Sequence, residues 1–279
     1  MLQNIRSILI GMTEEGIDEP SSALSYGLSL ARQAGAHATI QAASLKVVLG
    51  STFMSNMAAG LVADHNRKLR QLAADLAERA RGDASAQGVS CSVETPQLPY
   101  GELVQTFLAQ ARVHDLAILD AETATINADR GLIEALLFES GRPLIVVPPA
   151  ADSFKHQRIL IAWDASPRAA RAVNDALPIL KAATAVEVVA IATEKELAHS
   201  VPGAELAPHL ARHGVNVTVK NLVVQADGVA GTLREQAKLF NADILVMGAF
   251  NHSLIREWAL GGVTQSLLND APIPLFMSY

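Results

Sequence analysis

The chain has 279 residues, near twice the common length of a single domain, so one or two domains are expected. Half of the residues are hydrophobic but only 4% are aromatic, which indicates a core built from Ala, Val, Leu and Ile. The net charge of −6 and the lack of an extended basic run argue against nucleic acid or an anionic membrane as a partner.

The first predicted elements are a strand and a helix. Residues 8–13 form a short apolar run typical of a buried strand, and a helix is predicted from Ser22 to Ala34. The residues before this strand lack the basic start and long apolar stretch of a secretory signal. The longest apolar runs of the chain are also far short of the ~20 residues of a membrane-spanning helix. We therefore expect a cytoplasmic protein without a membrane partner.

A long segment between residues 45 and 88 comes next. It begins with a stretch rich in Met and Ala and continues as a predicted helix at about 56–81. Met54 and Met57 would suit a flexible binding surface, because methionine side chains adapt their shape. The simpler interpretation, which we favour, is a helix that covers the sheet.

The only cysteine, Cys91, lies in the next predicted strand, near Val93. A single cysteine excludes an intramolecular disulfide, which agrees with a reducing compartment. No neighbouring residue would activate the thiol, so we interpret Cys91 as a small strand residue. A helix from about Gly101 to His114 and strands at 115–120 and 142–147 complete the first half.

The second half repeats this order of elements. A strand at 159–164 is followed by a Ser166-Pro167 turn and a predicted helix at 168–182, since proline is favoured at the first helical position. Further strands are predicted at 186–192, near Val219, at 243–248 and at 273–277, with a helix from Gly228 to Phe240. In place of the long helix of the first half, the second has only residues 194–214.

Alternation of apolar strands with helices predicts an α/β fold, with mostly parallel sheets covered by helices on both faces. A segment rich in Pro and Ala at residues 148–152 separates the halves, so the predicted domains are 1–150 and 156–279. The strands at 143–147 and 274–277 are candidates for sheet edges. Because strands at the edge of a sheet are usually paired with or covered by another segment, we expect these two strands to face each other and to give one chain the shape of a dimer. Whether two chains associate further as a homodimer is left open.

Ligands of open parallel sheets bind at the carboxyl ends of strands, where the connection order reverses. In the second half, this description fits Asp164, residues 190–192 and the loop at 248–264. The loop starts with a glycine and ends with a glycine pair that leads into a helix. Glycine allows the backbone to approach a phosphate, and the N–H groups of a helix start point at it. The loop has neither the Walker pattern nor the dinucleotide pattern GxGxxG.

These residues resemble a known family. A strand ending in Asp164, then Met-Gly-x-x-Asn at 247–251, nine residues, and Gly-Gly-Val-Thr at 261–264, on a doubled unit, resemble a tandem universal stress protein of the UspA type. The resemblance implies two tandem open five-stranded sheets of the adenine nucleotide alpha hydrolase-like kind. It also implies regulation rather than catalysis, and ATP held without a Walker motif. ADP and AMP are alternative ligands, and Mg²⁺ would accompany the phosphates.

The resemblance also implies a role for each matching position. Asp164 would bond the ribose hydroxyls, and the backbone of Ile191 would contact the adenine edge. The residues that would surround the sugar and phosphates, through backbone N–H groups or side chains, are Gly248, Asn251, His252, Gly261, Gly262, Val263 and Thr264. Alternatively, His252 is a loop residue whose side chain is exposed to solvent and contacts no ligand.

Two positions depart from the family pattern. Asn251 stands where the pattern has a second glycine, and asparagine is the non-glycine residue that most readily takes a left-handed backbone. Gly262 stands where Ser or Thr is usual, so one hydroxyl bond to phosphate is lost, worth about 0.5–1.5 kcal/mol. In the first half Thr13 replaces the aspartate, and the acidic residues Asp120, Glu122 and Asp129 would repel phosphate. We expect no nucleotide there.

Two other functions compete with nucleotide-dependent regulation. A nucleotide-free interaction scaffold is favoured by the two departures from the family pattern and by the expected lack of a nucleotide in the first half. An enzyme is disfavoured, because Ser166 and Ser253 have no recognisable base and lack the nucleophile elbow. His209 and His213 are spaced like metal ligands, but the simpler interpretation is that both lie near the end of a helix on the protein surface and bind no metal. Trp258 is expected to pack internally, with a partner contact as the alternative.

Overall fold

The computed structural model describes residues 2, 4–13, 21–48, 56–121, 128–149, 151–192, 202–249 and 262–279. The first half contains β1 (Ser7–Thr13), α1 (Ser22–Ala34), β2 (His37–Leu45), α2 (Asn56–Ala86), β3 (Cys91–Glu94), β4 (Gln97–Leu98), α3 (Tyr100–Arg112), β5 (Leu116–Asp120), α4 (Ala128–Glu139) and β6 (Leu144–Val147). The second half contains β7 (Arg158–Ala162), α5 (Pro167–Leu180), β8 (Ala185–Ala192), α6 (Leu206–Arg212), β9 (Val217–Val223), α7 (Gly228–Phe240), β10 (Ile244–Gly248), α8 (Gly262–Asn269) and β11 (Leu275–Ser278).

The strands of both halves form one continuous sheet. Its order is β3-β2-β1-β5-β6-β11-β10-β7-β8-β9, with the two-residue β4 paired to β2. Within each half the pairs are parallel, whereas β6 and β11 pair antiparallel, with Phe276 opposite Ile145. The predicted edge strands therefore meet, and the two five-stranded arrays continue into one another. The predicted α/β class is confirmed.

Side chains of successive strand residues point to opposite faces of the sheet and build two cores. On one face, Ile8 and Ile159 pack with residues of α1, α2, α5 and α6. On the other face, Leu9 and Leu160 pack with residues of α3, α4, α7 and α8. Helices thus cover both faces, as predicted from the apolar strands. None of the helices in the described part of the chain has the length and apolar character that a bilayer crossing requires.

The predicted helix boundaries are close to those observed, with one clear difference. Ser21 and Ser166 cap α1 and α5, each accepting a bond from the backbone N–H three residues later. Helix α2 runs five residues past its predicted end at 81. The extra turn is retained because Ala84 is fully buried in the core, and Gly88 ends the segment with a φ of 68°.

The carboxylate of Asp120, at the end of β5, is bound to the start of α1. Its Oδ1 accepts from the N–H of Ala23 at 2.7 Å, and its Oδ2 accepts from the Ser21 hydroxyl at 2.7 Å. Negative charge at a helix start is favourable, because the first N–H groups have no helical partners. An internal anion therefore occupies the start of α1.

Asp120→Ala is expected to lower the free energy of unfolding by about 1 kcal/mol, the usual cost of losing a helix cap. Urea denaturation of the two proteins measures the difference. Asp64→Ala is the matched control, because Asp64 is exposed on α2 and pairs only with Arg67 one turn away. Equal losses in the two variants would contradict a capping role for Asp120.

Candidate functional site

A cavity of about 330 Å³ opens at the carboxyl ends of β7, β8 and β10 in the second half. Strand β7 has β8 on one side and β10 on the other, so the connection order reverses there. This is the position at which open α/β sheets bind ligands. The cavity is lined by Ala162, Trp163, Asp164, Val189, Ile191, Val229, Leu233, Met247, Gly248, Val263 and Thr264.

The structure brings together several of the positions predicted from the sequence. Asp164, Ile191, Gly248, Val263 and Thr264 all line this one cavity, although they come from four separate parts of the chain. The other predicted positions do not line it or cannot be placed. Gly262 is exposed as the first residue of α8, whereas Asn251, His252 and Gly261 lie outside the described residues.

The Asp164 carboxylate is held by a turn between β7 and α5. Its Oδ1 accepts from the N–H of Ser166 at 3.0 Å, and the intervening Ala165 has a φ of 58°. The Ser166 hydroxyl in turn accepts from the N–H of Ala169 at 3.1 Å and caps α5. Within the described residues, the second carboxylate oxygen makes no hydrogen bond, and the side chain is exposed. This oxygen is available to a ligand that donates hydrogen bonds.

Gly248 lies against the backbone of the first turn of α5. A Cβ atom at this position would be 2.6 Å from the backbone N of Ala169 and 2.8 Å from the carbonyl carbon of Arg168. Such distances are not tolerated without moving the helix. The glycine is therefore needed for helix packing, independently of any phosphate, and its position brings the starts of α5 and the loop after β10 close together.

The walls of the cavity are mainly apolar. Val189 and Ile191 come from β8, Val229 and Leu233 from α7, and Met247 from β10. Apolar walls with a few convergent polar groups are typical of sites for small molecules. Thr264 is fully buried in α8 and forms part of the wall near Val263.

Sequence reasoning missed six of the lining residues: Ala162, Trp163, Val189, Val229, Leu233 and Met247. The i, i+4 spacing of Val229 and Leu233 marks one apolar face of α7, but it does not show what that face covers. Trp163 packs against the core on the opposite face of the sheet. Its indole N–H donates to Glu205 Oε1 at 2.7 Å, and this bond lowers the pKa of the Glu205 carboxyl.

The corresponding place in the first half is filled by side chains. A Cβ atom on Gly11 of β1 would lie 2.5 Å from Leu119 Cδ2 and 2.7 Å from the ring of Phe107, which is fully buried. Phe107 follows Leu103 on the buried face of α3 by four positions, as Leu233 follows Val229 on α7, so the two residues occupy similar places on the apolar faces of these helices. The larger ring gives a steric reason for the expectation that this half holds no nucleotide. Glu122 lies outside the described residues.

Other positions weighed from the sequence do not form a second site of chemistry. The rings of His209 and His213 are 4.8 Å apart, and no group of three His, Cys, Asp or Glu residues that could hold a metal occurs in the described ranges. Cys91 is half-buried in β3, as expected for a strand residue. Met54, Ser253 and Trp258 lie outside the described residues.

The chain is similar to several known proteins. The model of the universal stress protein family matches residues 155–278. A universal stress protein from Archaeoglobus fulgidus DSM 4304 has a similar structure, with 16% identity, a TM-score of 0.62, and coverage of 98% of this chain and 97% of that one.

Two Pseudomonas aeruginosa structures are also similar. One is a functionally unknown protein from strain PAO1, with 17% identity, a TM-score of 0.56, and coverage of 99% and 93%. The other is a candidate universal stress protein from strain UCBPP-PA14, with 17% identity, a TM-score of 0.57, and coverage of 99% and 94%.

No curated protein matches the chain in sequence. At identities this low, the likeness to the solved structures concerns the fold. It extends over both halves of the chain, whereas the sequence match covers the half that contains the cavity.

Proposed function

From the match of residues 155–278 to the model of the universal stress protein family, we propose that the chain is a cytoplasmic regulatory protein of the stress response that binds an adenine nucleotide. ATP is the expected ligand, with ADP and AMP as alternatives, and the site is the cavity of the second half. The observation that carries the proposal is the meeting of an exposed carboxylate, Asp164, with apolar walls, Gly248 at the end of β10 and the first turn of α8 at one strand-end crevice.

Each part of the cavity suits one part of a nucleotide. The free oxygen of Asp164 would accept hydrogen bonds from the ribose hydroxyls, and charged acceptors make the stronger bonds of this kind. The apolar walls formed by Val189, Ile191 and Leu233 would enclose the base, with the backbone of Ile191 at its edge. The start of α8, at Gly262 and Val263, would direct backbone N–H groups at the phosphates.

A Mg²⁺ ion that accompanies the nucleotide would find few ligands among the residues that line the cavity, because the free oxygen of Asp164 is assigned to the ribose. Asp164 is the single carboxylate among those residues. Mg²⁺ keeps several waters and is commonly bound through one or two carboxylates together with substrate phosphates. The ion would therefore take most of its oxygen ligands from the nucleotide and from water. We propose no catalytic role for the site beyond very slow hydrolysis, since no nucleophile with a paired base is present among the lining residues.

Isothermal titration with ATP, ADP and AMP tests the proposal directly. Saturable binding of at least one of these nucleotides by the full chain, with one site per chain, is the expected result. One site rather than two is expected because Phe107 fills the corresponding place in the first half. The absence of heat at millimolar concentrations of all three nucleotides would refute a nucleotide-dependent function.

The second candidate function is a nucleotide-free interaction scaffold. It is favoured by the continuous sheet, because β6 and β11 already join the halves without help from a ligand. If the chain is a scaffold, the purified protein is expected to carry no bound nucleotide. Its melting temperature is then expected to stay the same when ATP, ADP or AMP is added. A ligand that binds the folded state raises that temperature, so this measurement separates the two functions.

A further inference from the structure

A second cavity, of about 310 Å³, lies where the two halves of the chain meet. It is bounded by α1 of the first half, by the segment that links the halves, and by the turns that precede β10 and β11. We call it the seam pocket. Its walls include Tyr26, Asp152, Lys155, Asp243, Pro272 and Pro274. Because both halves and their linker contribute, an occupant would contact all three.

Tyr26 is the most unusual residue of the seam pocket. It is only 1% exposed, and its hydroxyl has no hydrogen-bond partner among the described residues. Its ring packs edge-to-face on Phe154 of the linker, with ring centres 5.5 Å apart. Burial, together with the nearby Asp243 carboxylate, raises the pKa of Tyr26, so the phenol stays protonated. A buried donor without a partner is costly and is normally satisfied by some other group.

The two halves are approximately symmetric, so the position equivalent to Tyr26 can be found on α5 of the second half. Tyr26 follows the cap of α1, Ser21, by five residues, and Arg171 follows the cap of α5, Ser166, by the same number. The Arg171 guanidinium donates to the carbonyl of Gly141, just before β6, at 2.9 Å. It also lies 3.7 Å from the Asp175 carboxylate. On that side the chain itself supplies a cationic group to the carbonyl before β6.

On the Tyr26 side, the wall carries charges of both signs. Asp243 accepts from the N–H of Arg158 at 2.9 Å through one oxygen, and Asp152 accepts from the Ser153 hydroxyl at 3.0 Å. Lys155 is exposed and forms no ion pair within the described residues. A purely anionic ligand would face two carboxylates, and a purely cationic one would face the lysine. A ligand that carries both charges is complementary to this wall.

We propose that the seam pocket binds a small zwitterion of the amino-acid class, with its cationic head toward Asp243 and Asp152 and its carboxylate accepting from the Tyr26 hydroxyl and Lys155. The cavity volume lies at the lower end of the range for small-molecule sites, which suits a ligand of this size. The proposal is independent of nucleotide binding, because the two cavities share no lining residue.

L-Arginine is the probe of choice, because its guanidinium matches the group that Arg171 supplies on the other side. The full chain is titrated calorimetrically with L-arginine and with agmatine, which is arginine without its carboxylate. Saturable binding of L-arginine and at least tenfold weaker binding of agmatine are expected. The absence of heat with L-arginine at 10 mM, a concentration on the order of the weakest specific dissociation constants, would overturn the proposal. Equal binding of the two compounds would also overturn it.

Tyr26→Phe and Lys155→Met test the assigned contacts. Tyr26→Phe keeps the ring that packs on Phe154 and removes only the unpartnered hydroxyl, so the variant is expected to fold. Each change is expected to weaken L-arginine binding by about threefold to tenfold, the range for one hydrogen bond. Lys181→Met, at an exposed lysine outside the seam pocket, is expected to bind L-arginine as the wild type does. Unchanged binding in both Tyr26→Phe and Lys155→Met would overturn the assignment, and would point to a buried water beside Tyr26.

Discussion

Asp164→Ala is expected to weaken ATP binding by about tenfold to a hundredfold, because it removes the only carboxylate among the described residues that line the cavity. The free oxygen of Asp164 would accept bonds from the ribose hydroxyls, and bonds to a charged acceptor contribute about 1.5–3 kcal/mol each. Isothermal titration of the two proteins with ATP measures the change in the dissociation constant.

A second substitution separates the charge of Asp164 from its structural role. Its Oδ1 accepts from the N–H of Ser166 and so supports the turn before α5. Asp164→Asn retains an oxygen for this bond but replaces the free carboxylate oxygen with an amide that donates. We therefore expect Asp164→Asn to keep the stability of the wild type while losing most of the ATP affinity. Asp64→Asn, on the exposed surface of α2, controls for the loss of one negative charge. If Asp164→Asn binds ATP normally, the carboxylate is not a ribose contact.

Gly248→Ala is expected to lower the free energy of unfolding by about 1–3 kcal/mol, the usual cost of forcing atoms into a packed interior. The added Cβ would meet backbone atoms of Arg168 and Ala169, which cannot rotate away as a flexible side chain could. Helix α5 must then move away from β10, and this shift also displaces the turn that holds Asp164. Thermal and urea denaturation measure the stability, and titration of the folded variant with ATP is expected to show weaker binding.

Gly262→Ala is the matched control for this prediction. No atom of the described residues lies within 4 Å of a Cβ built at Gly262, which is exposed at the start of α8. Alanine in a helix is favoured over glycine by about 0.5–1 kcal/mol, so this variant is expected to be as stable as the wild type or more stable. A Gly248→Ala protein as stable as Gly262→Ala would show that the contact with α5 is not tight.

Several features of the site could be predicted from the sequence because they depend on local order along the chain. The sequence identifies Asp164 and Gly248 because each stands at the end of a predicted strand. Parallel strands carry their carboxyl ends to the same edge of a sheet, so strand-end residues from distant parts of the chain converge there. The structure places Asp164, Ile191 and Gly248 around one cavity for this reason. The nucleotide itself remains a proposal.

Other features depended on side-chain volume at contacts between distant segments. The sequence assigned Gly248 to phosphate approach, but the structure shows that its lack of a Cβ is needed by α5. Phe107 and Leu119 fill the first half beside Gly11, and no local pattern shows that these three residues meet. Asp120 was interpreted as a charge that would repel phosphate. Its observed partners, at the start of α1, are about a hundred positions away in the chain.

The doubled α/β order and the strand ends that carry the candidate site follow from the local pattern of the sequence. The reason is that hydrophobic period and turn residues act over a few neighbouring positions. The tertiary structure alone decided the register of Phe276 opposite Ile145, the filling of one cavity and not the other, and the seam pocket. These outcomes follow from close packing, in which a single ring or methyl group decides whether space remains between segments far apart in the chain.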